Sequence, residues 1–214
     1  MDGGECGELI KEVEEIGMPK LTTYVHSQRD AYRLPVIDPS LSSLLWERLR
    51  NGKFKKENFN DHIISQKLKP FGFNVEGEWV PASINPCFRF SKYTSPSIGF
   101  KPHFDSQYCQ NLSNRSIYSI LIYLNPPESG GETTFYLPPS WNQPPPFLNS
   151  SQVSKLTVEE EIALNGGISC YHKVSISPEV GKCVIFPHDV LHSGDAVLSG
   201  VKYILRTDLV FMKD

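Results

Sequence analysis

The chain has 214 residues, 39% of them hydrophobic and 21% charged, a balance that suits one globular domain with a real core and excludes a disordered tail. Lys and Arg number 21 against 24 Asp and Glu, a net charge of -3, so nothing in the overall charge calls for nucleic acid as a partner. No apolar run approaches the roughly 18 to 20 residues of a membrane span, and Met1 to Glu5 lacks the basic start and apolar stretch of a signal peptide, so a soluble, cytoplasmic protein with no membrane partner is expected.

Leu9, Ile10, Val13 and Ile16 recur at helical spacing and Gly17 follows, which predicts an amphipathic helix over 5–16. Asp38 stands as an N-cap before Pro39, and Leu41, Leu44, Leu45, Trp46 and Leu49 supply the apolar face of a second helix. Residues 54–69 are polar and weakly periodic and read as loop or irregular helix. From about Trp79 the pattern changes to short aromatic and β-branched runs separated by Gly, Pro, Asn and Ser, with strands expected over 85–93, 99–105, 116–124, 132–137, 172–176, 183–186 and 201–211. Helices followed by many strands predict an α+β, mainly β, architecture built on a sandwich or barrel, with 1–78 as mainly helical support and 79–214 as the core. Residues 138–155, with Pro144, Pro145 and Pro146 inside, read as a long proline-rich loop, either a rim or lid bordering substrate or a solvent insertion. No internal repeat is found.

The cysteines, Cys6, Cys87, Cys109, Cys170 and Cys183, are odd in number and form no Cys-x-x-Cys pair. Neither a disulfide framework nor a cysteine zinc site is expected, and a reducing compartment is. Sequons at Asn111, Asn114 and Asn149 read as polar loop composition.

On a strand, residues two apart share a face, so His103 and Asp105 in Lys101-Pro102-His103-Phe104-Asp105 would point together. The apolar strand before His188-Asp189-Val190-Leu191-His192 delivers a further histidine. Two histidines and a carboxylate on one face of a metal leave the opposite positions open, the arrangement of non-haem Fe(II) sites. A closed structural zinc site would need a fourth ligand, and none presents itself. His188, four residues before His192, would converge with it on a helix, but 184–186 reads as strand, so His188 is expected outside the metal set. Lys202 and Arg206 share the parity of Ile204 in the last apolar strand. At least one of these cations should face the interior and need an anionic partner such as a small dicarboxylate; the alternative is an exposed face shared with Asp208. Gly200 is expected to leave room beside Lys202.

Tyr93, His103-Phe104-Asp105, Tyr123-Leu124-Asn125, Gly130-Gly131-Glu132-Thr133, His192 and Gly200-Val201-Lys202 stand in an order and approximate spacing that resembles the Fe(II)/2-oxoglutarate-dependent dioxygenases. The likeness is greatest to the prolyl 4-hydroxylase branch, whose first helix Glu5 to Ile10 also resembles. This resemblance implies one domain over 1–214, folded as a double-stranded β-helix or jelly roll. It implies Fe(II) on His103, Asp105 and His192, with 2-oxoglutarate chelating the metal and O2 as oxidant, and ascorbate helping to maintain activity. Lys202, rather than Arg206, would hold the far carboxylate of 2-oxoglutarate, with Arg206 in the same cofactor site either bracing the pocket wall or pairing with a nearby acid, and Tyr93 and Tyr123 would help hold the co-substrate. The implied activity is hydroxylation of peptidyl proline in a peptide or protein substrate. A free amino acid or small metabolite is the alternative substrate, and a non-catalytic metal-binding jelly roll or a zinc hydrolase are the rival readings. Asp105 keeps the carboxylate that iron halogenases lack, so hydroxylation is expected. Phe100 stands where relatives often carry tyrosine, Leu209 where several carry tryptophan, and the usual strand before the opening helix is missing, as in a truncated or short form.

Overall fold

The computed structural model describes residues 1–23, 26–52, 70–137 and 157–214; the loop or irregular helix read over 54–69 and the loop read over 138–155 lie outside them. Helix α1 (Gly3–Ile16) starts two residues before the predicted position because Asp2 and Glu5 form a capping box, each side chain bonding the other's backbone N–H, and it ends at Gly17 with φ 91. Helix α2 (Pro39–Arg50) is capped by Asp38, whose carboxylate accepts from the N–H groups of Ser40 and Leu41. Arg48 of α2 pairs with Glu5 of α1. Both helices bury their apolar stripes, including Val13, Leu45 and Leu49, against Phe88, Phe90, Ile120, Ile122 and Leu205 on the outer face of a sheet.

That sheet contains β1 (Tyr32–Ile37), β2 (Trp79–Ile84), β3 (Cys87–Thr94), β5 (Cys109–Asn111), β6 (Asn114–Tyr123), β10 (Cys183–Pro187) and β13 (Val201–Lys213), in the order β1-β3-β13-β6-β10 with β2 on β13 and β5 on β6. A smaller sheet has the order β4-β11-β8-β9, from β4 (Phe100–His103), β8 (Thr133–Leu137), β9 (His172–Ile176) and β11 (His192–Gly194). β7 (Ser129–Gly130) and β12 (Val197–Ser199) pair separately, and a short helix α3 (Val158–Leu164) precedes β9. The two antiparallel sheets form the expected jelly roll. All five cysteines are free, and among the described residues no helix is long and apolar enough to cross a membrane.

The structure departs from the sequence expectations at two places that matter for the site. First, the stretch read as helical support contributes β1, which pairs with β3 along its whole length. Leu34 and Val36 of β1 pack toward the helices, which leaves Arg33 and Pro35 on the inner face. Pro35 disguised the strand, yet an edge strand has one side with no ladder to serve, so the missing N–H is tolerated there. Second, β4 ends at His103 and Asp105 lies beyond it. Asp105 is held by its own backbone, its N–H donating to the His188 carbonyl at 3.1 Å.

The segment before β1 joins the two sheets. Arg29 bridges to Phe100 of β4, and Lys101 donates its N–H to the Gln28 carbonyl. The chain then crosses to β3, so 28–37 closes one side of the roll. Strand register aligns the inner face of the large sheet: Tyr93 opposite Lys202, Ser91 opposite Ile204, Arg89 opposite Arg206, and Arg206 opposite Leu121.

Candidate metal centre

His103 and His192 are direct partners across the β4–β11 pair, which puts both imidazoles on one face with ring centroids 4.3 Å apart. Asp105 brings its carboxylate between them, 3.9 Å from Nε2 of His103 and 3.6 Å from Nε2 of His192. One ligand atom from each residue lies within 4.8 Å of the others. Nδ1 of His103 bonds the Lys101 carbonyl at 2.7 Å and Nδ1 of His192 the Val190 carbonyl at 2.9 Å. A carbonyl can only accept, so both Nδ1 atoms carry the proton and both Nε2 lone pairs face inward, the tautomer a metal ligand needs. Burial pushes the His103 ring down to about 3, with the neighbouring His192 adding to the effect, and burial also lowers His192. Phe100 stacks on His103 at 3.5 Å between centroids, and Phe186 packs edge-on against His192 at 4.6 Å. Two neutral, ring-locked imidazoles and one carboxylate fit a divalent cation with open positions opposite them.

Burial alone would raise the Asp105 carboxyl, but the Arg206 guanidinium, with the two histidines and a Ser119 hydrogen bond, holds it well below the usual carboxylate range. Arg206 Nε donates to Oδ2 at 3.1 Å and Ser119 Oγ donates to the same oxygen at 2.5 Å. Arg206 stands directly opposite Arg89, a like-charge pair that would be destabilising alone. Asp208, fully buried, bonds both guanidiniums and the Asn85 amide, so this pair of cations is braced by an anion of its own.

His188 lies outside the ligand set. Its Nδ1 meets Ser119 Oγ at 3.0 Å and its Nε2 meets Ser116 Oγ at 2.7 Å. Because the Ser119 hydroxyl proton goes to Asp105, His188 Nδ1 must donate to Ser119 and Nε2 must accept from Ser116. Burial pushes this ring down to about 4, consistent with the neutral form that such a chain requires. His188 thus supports the carboxylate ligand through Ser119.

Lys202 is 2% exposed. Its ammonium donates to the Gly131 carbonyl at 2.7 Å and lies 5.0 Å from the centroid of the Tyr93 ring. Burial pushes it down to about 8, against the pull of Asp195 and Glu132. Tyr123 donates its hydroxyl to Thr133 at 2.6 Å, and burial raises it to about 12. The glycine that makes room for Lys202 is Gly131, where a Cβ would come 3.2 Å from Lys202 Cδ; at Gly200 it would instead meet the Glu128 backbone nitrogen at 2.9 Å. Tyr93, Lys202, Arg206 and the candidate metal ligands His103, Asp105 and His192 line one cavity of about 590 Å³.

Sequence reasoning missed several residues here. Arg29 is 3% exposed; it donates to Tyr93 Oη at 2.9 Å and Ser91 Oγ at 3.2 Å, and lies 4.4 Å from the Phe100 ring centroid. Arg33 and Arg89 also line the cavity. No local pattern marks Arg29, because its partners lie 62 and 64 residues away.

Several solved structures share this fold. The viral collagen prolyl hydroxylase vCPH from Paramecium Bursaria Chlorella virus-1, as its 2OG complex, is 16% identical over 99% of this chain and 92% of that one, with a TM-score of 0.50. A prolyl-4-hydroxylase of Pseudomonas putida is 13% identical over 100% of this chain and 89% of that one, with a TM-score of 0.54. The non-heme alpha ketoglutarate dependent carbocyclase SnoK from nogalamycin biosynthesis is 12% identical over 100% and 76%, with a TM-score of 0.58. At these identities the likeness is one of fold. No curated protein matches the chain. The family model described as the 2OG-Fe(II) oxygenase superfamily matches residues 88–207, more than half of the sequence and the stretch holding all three metal-site residues and Lys202, and the chain belongs to that superfamily.

Proposed function

We propose that the protein hydroxylates a carbon of a second substrate at the expense of 2-oxoglutarate, and that the substrate carries a prolyl residue in a peptide or protein. The observation that carries the reaction class is the convergence of His103, Asp105 and His192 with a buried lysine in one cavity. His103 Nε2, Asp105 and His192 Nε2 would hold Fe(II), and Lys202 would take the distal carboxylate of 2-oxoglutarate beside Tyr93, with Tyr123 acting from behind the cavity wall through its hydrogen bond to Thr133. When bound, Fe(II) and 2-oxoglutarate supply the oxygen chemistry: decarboxylation to succinate and carbon dioxide furnishes the electrons for one atom of O2 to enter a C–H bond.

The chain's own residues position and protect these groups. The two Nδ1–H bonds fix the imidazoles, Arg206 and Ser119 keep Asp105 ionised, and Phe100, Phe135 and Phe186 pack around the rings. Lys202 is desolvated, so an ion pair with a carboxylate gains strength there. The prolyl substrate rests on motif resemblance. A second reading, a free amino acid or other small carboxylated metabolite, is favoured by the arginines on the cavity wall.

The test is 2-oxoglutarate turnover with Fe(II), O2 and ascorbate against proline-containing peptides and free amino acids, read as succinate and product mass. Fe(II)-dependent succinate with a gain of about 16 mass units on one substrate supports hydroxylation. Stable zinc binding without turnover would favour a hydrolase or a non-catalytic metal protein instead.

A further inference from the structure

We propose that the second substrate presents a carboxylate to a guanidinium wall formed by Arg33 and Arg89, an inference that rests on the oxygenase reading above. Arg33 pairs with Ser91 and Pro35 with Arg89 across β1 and β3, so the two arginines are diagonal neighbours on the inner face, about 7–8 Å apart at their backbones. Both line the cavity that contains the metal ligands. Arg29 reaches the Ser91 hydroxyl from the segment that joins the sheets, and it lines the same cavity as Arg33 and Arg89.

The cavity of about 590 Å³ falls well inside the roughly 300–1,000 Å³ of small-molecule sites and has room beyond a small diacid. Among the described residues five Lys or Arg side chains line it; Arg206 and Arg89 share Asp208, and Arg206 also pairs with Asp105. A dianionic co-substrate and a divalent metal cancel each other in charge, and Lys202 with the metal centre accounts for the co-substrate's two carboxylates. The arginines at the β1–β3 edge are therefore not needed for the co-substrate's own carboxylates. A guanidinium has five N–H donors, so one already engaged, as Arg89 is with Asp208, still presents donors to the cavity. Its planar fork matches a carboxylate bidentately, which a neutral amide cannot reproduce.

Elsewhere the cavity is lined by Phe104 and Val158, which pack with Tyr136, Tyr171 and Leu191. The wall and this apolar side together fit a molecule with an apolar body and a carboxylate close to the oxidised carbon. A proline inside a neutral peptide offers no such charge; a terminal residue, an acidic neighbour or a free acid does.

The experiment loads the full chain with Mn(II) and 2-oxoglutarate without O2, and titrates N-acetylproline, N-acetylleucine and N-acetylphenylalanine, each against its neutral primary amide, by calorimetry. At least one acid should bind about tenfold or more tighter than its amide, a difference of about 1.4 kcal/mol. Arg33→Gln should bring that ratio toward one, and Arg33→Lys should keep part of it. No preference in any wild-type pair, including no binding at all, overturns the proposal, as does an undiminished ratio in Arg33→Gln. Turnover of 2-oxoglutarate by the Fe(II) protein is measured separately. Failure there with the acid preference intact removes the oxygenase reading and keeps the anion site, whereas turnover without the preference does the reverse.

Discussion

Arg206 and Asp105 are joined across the gap between the two sheets, guanidinium to carboxylate at 3.1 Å. Arg206 comes from the middle strand of the large sheet, and Asp105 follows the edge strand of the small one. Among the described residues the one carboxylate of the candidate metal site is thus aimed and kept charged from the opposite layer. Arg206→Ala should weaken metal binding by about 10- to 100-fold, the range seen when a ligand loses its outer partner, and should affect 2-oxoglutarate less. Mn(II) titration followed by 2-oxoglutarate titration separates the two effects. A larger loss for 2-oxoglutarate than for metal would give Arg206 the role assigned to Lys202.

Lys202→Ala should have the opposite profile. Removing the cation leaves the distal carboxylate buried and unpaired, at a cost of roughly 3 to 5 kcal/mol, which is about two to three or more orders of magnitude in 2-oxoglutarate affinity. Binding measured with a redox-inert metal gives this number directly. A loss below about tenfold would place the anchor elsewhere.

The same lysine sets a pH dependence. Burial brings its free-pocket value down to about 8, and a bound carboxylate favours the charged form, so the value rises on binding. Binding therefore takes up a proton once the pH passes that of the free lysine. Affinity should be full below about pH 8 and fall by up to about tenfold per unit above it. Lys202→Arg, charged throughout, should show no such decline. A flat wild-type profile from about pH 7 to about pH 10 would contradict the role.

His188 and His192 make a contrasting pair. His188→Ala deprives Ser116 and Ser119 of their ring partners and should cost about 1–3 kcal/mol of stability for a buried group left unsatisfied, while a metal site of unchanged stoichiometry persists. His192→Ala should abolish tight metal binding. Denaturant unfolding and metal titration of both variants check this, and the reverse result would exchange the two residues.

What could be read from the sequence follows from how local its causes are. The α2 cap at Asp38-Pro39 and strand β9 are short-range patterns and appear where expected. The grouping of His103 and Asp105 was legible because strand parity and the His-x-Asp spacing are local too, even though β4 stops before Asp105. β1 and β2 were hidden by Pro35 and Pro81, the latter tolerated beside a register shift in β13. β5, β7, β11 and β12 are at most three residues long, too short for any period to show. Ser119 and Arg29 gave no signal because what defines them is a partner 14 to 69 or 62 to 64 residues away.

β13 follows every other described strand in the sequence but lies between β3 and β6, with β2 also paired to it. During synthesis, the rest of the large sheet therefore exists as separate flaps with open edges until the last strand arrives. Its insertion closes the longest loops and delivers Lys202 and Arg206 together, so the roll and its cationic floor should form in one late step. Such non-local pairing makes for slow folding and exposes strand edges to aggregation in the meantime. A nascent chain stalled before Val201 should be captured by chaperones and have no affinity for 2-oxoglutarate, whereas extension through Lys213 should confer both protease resistance and binding at once.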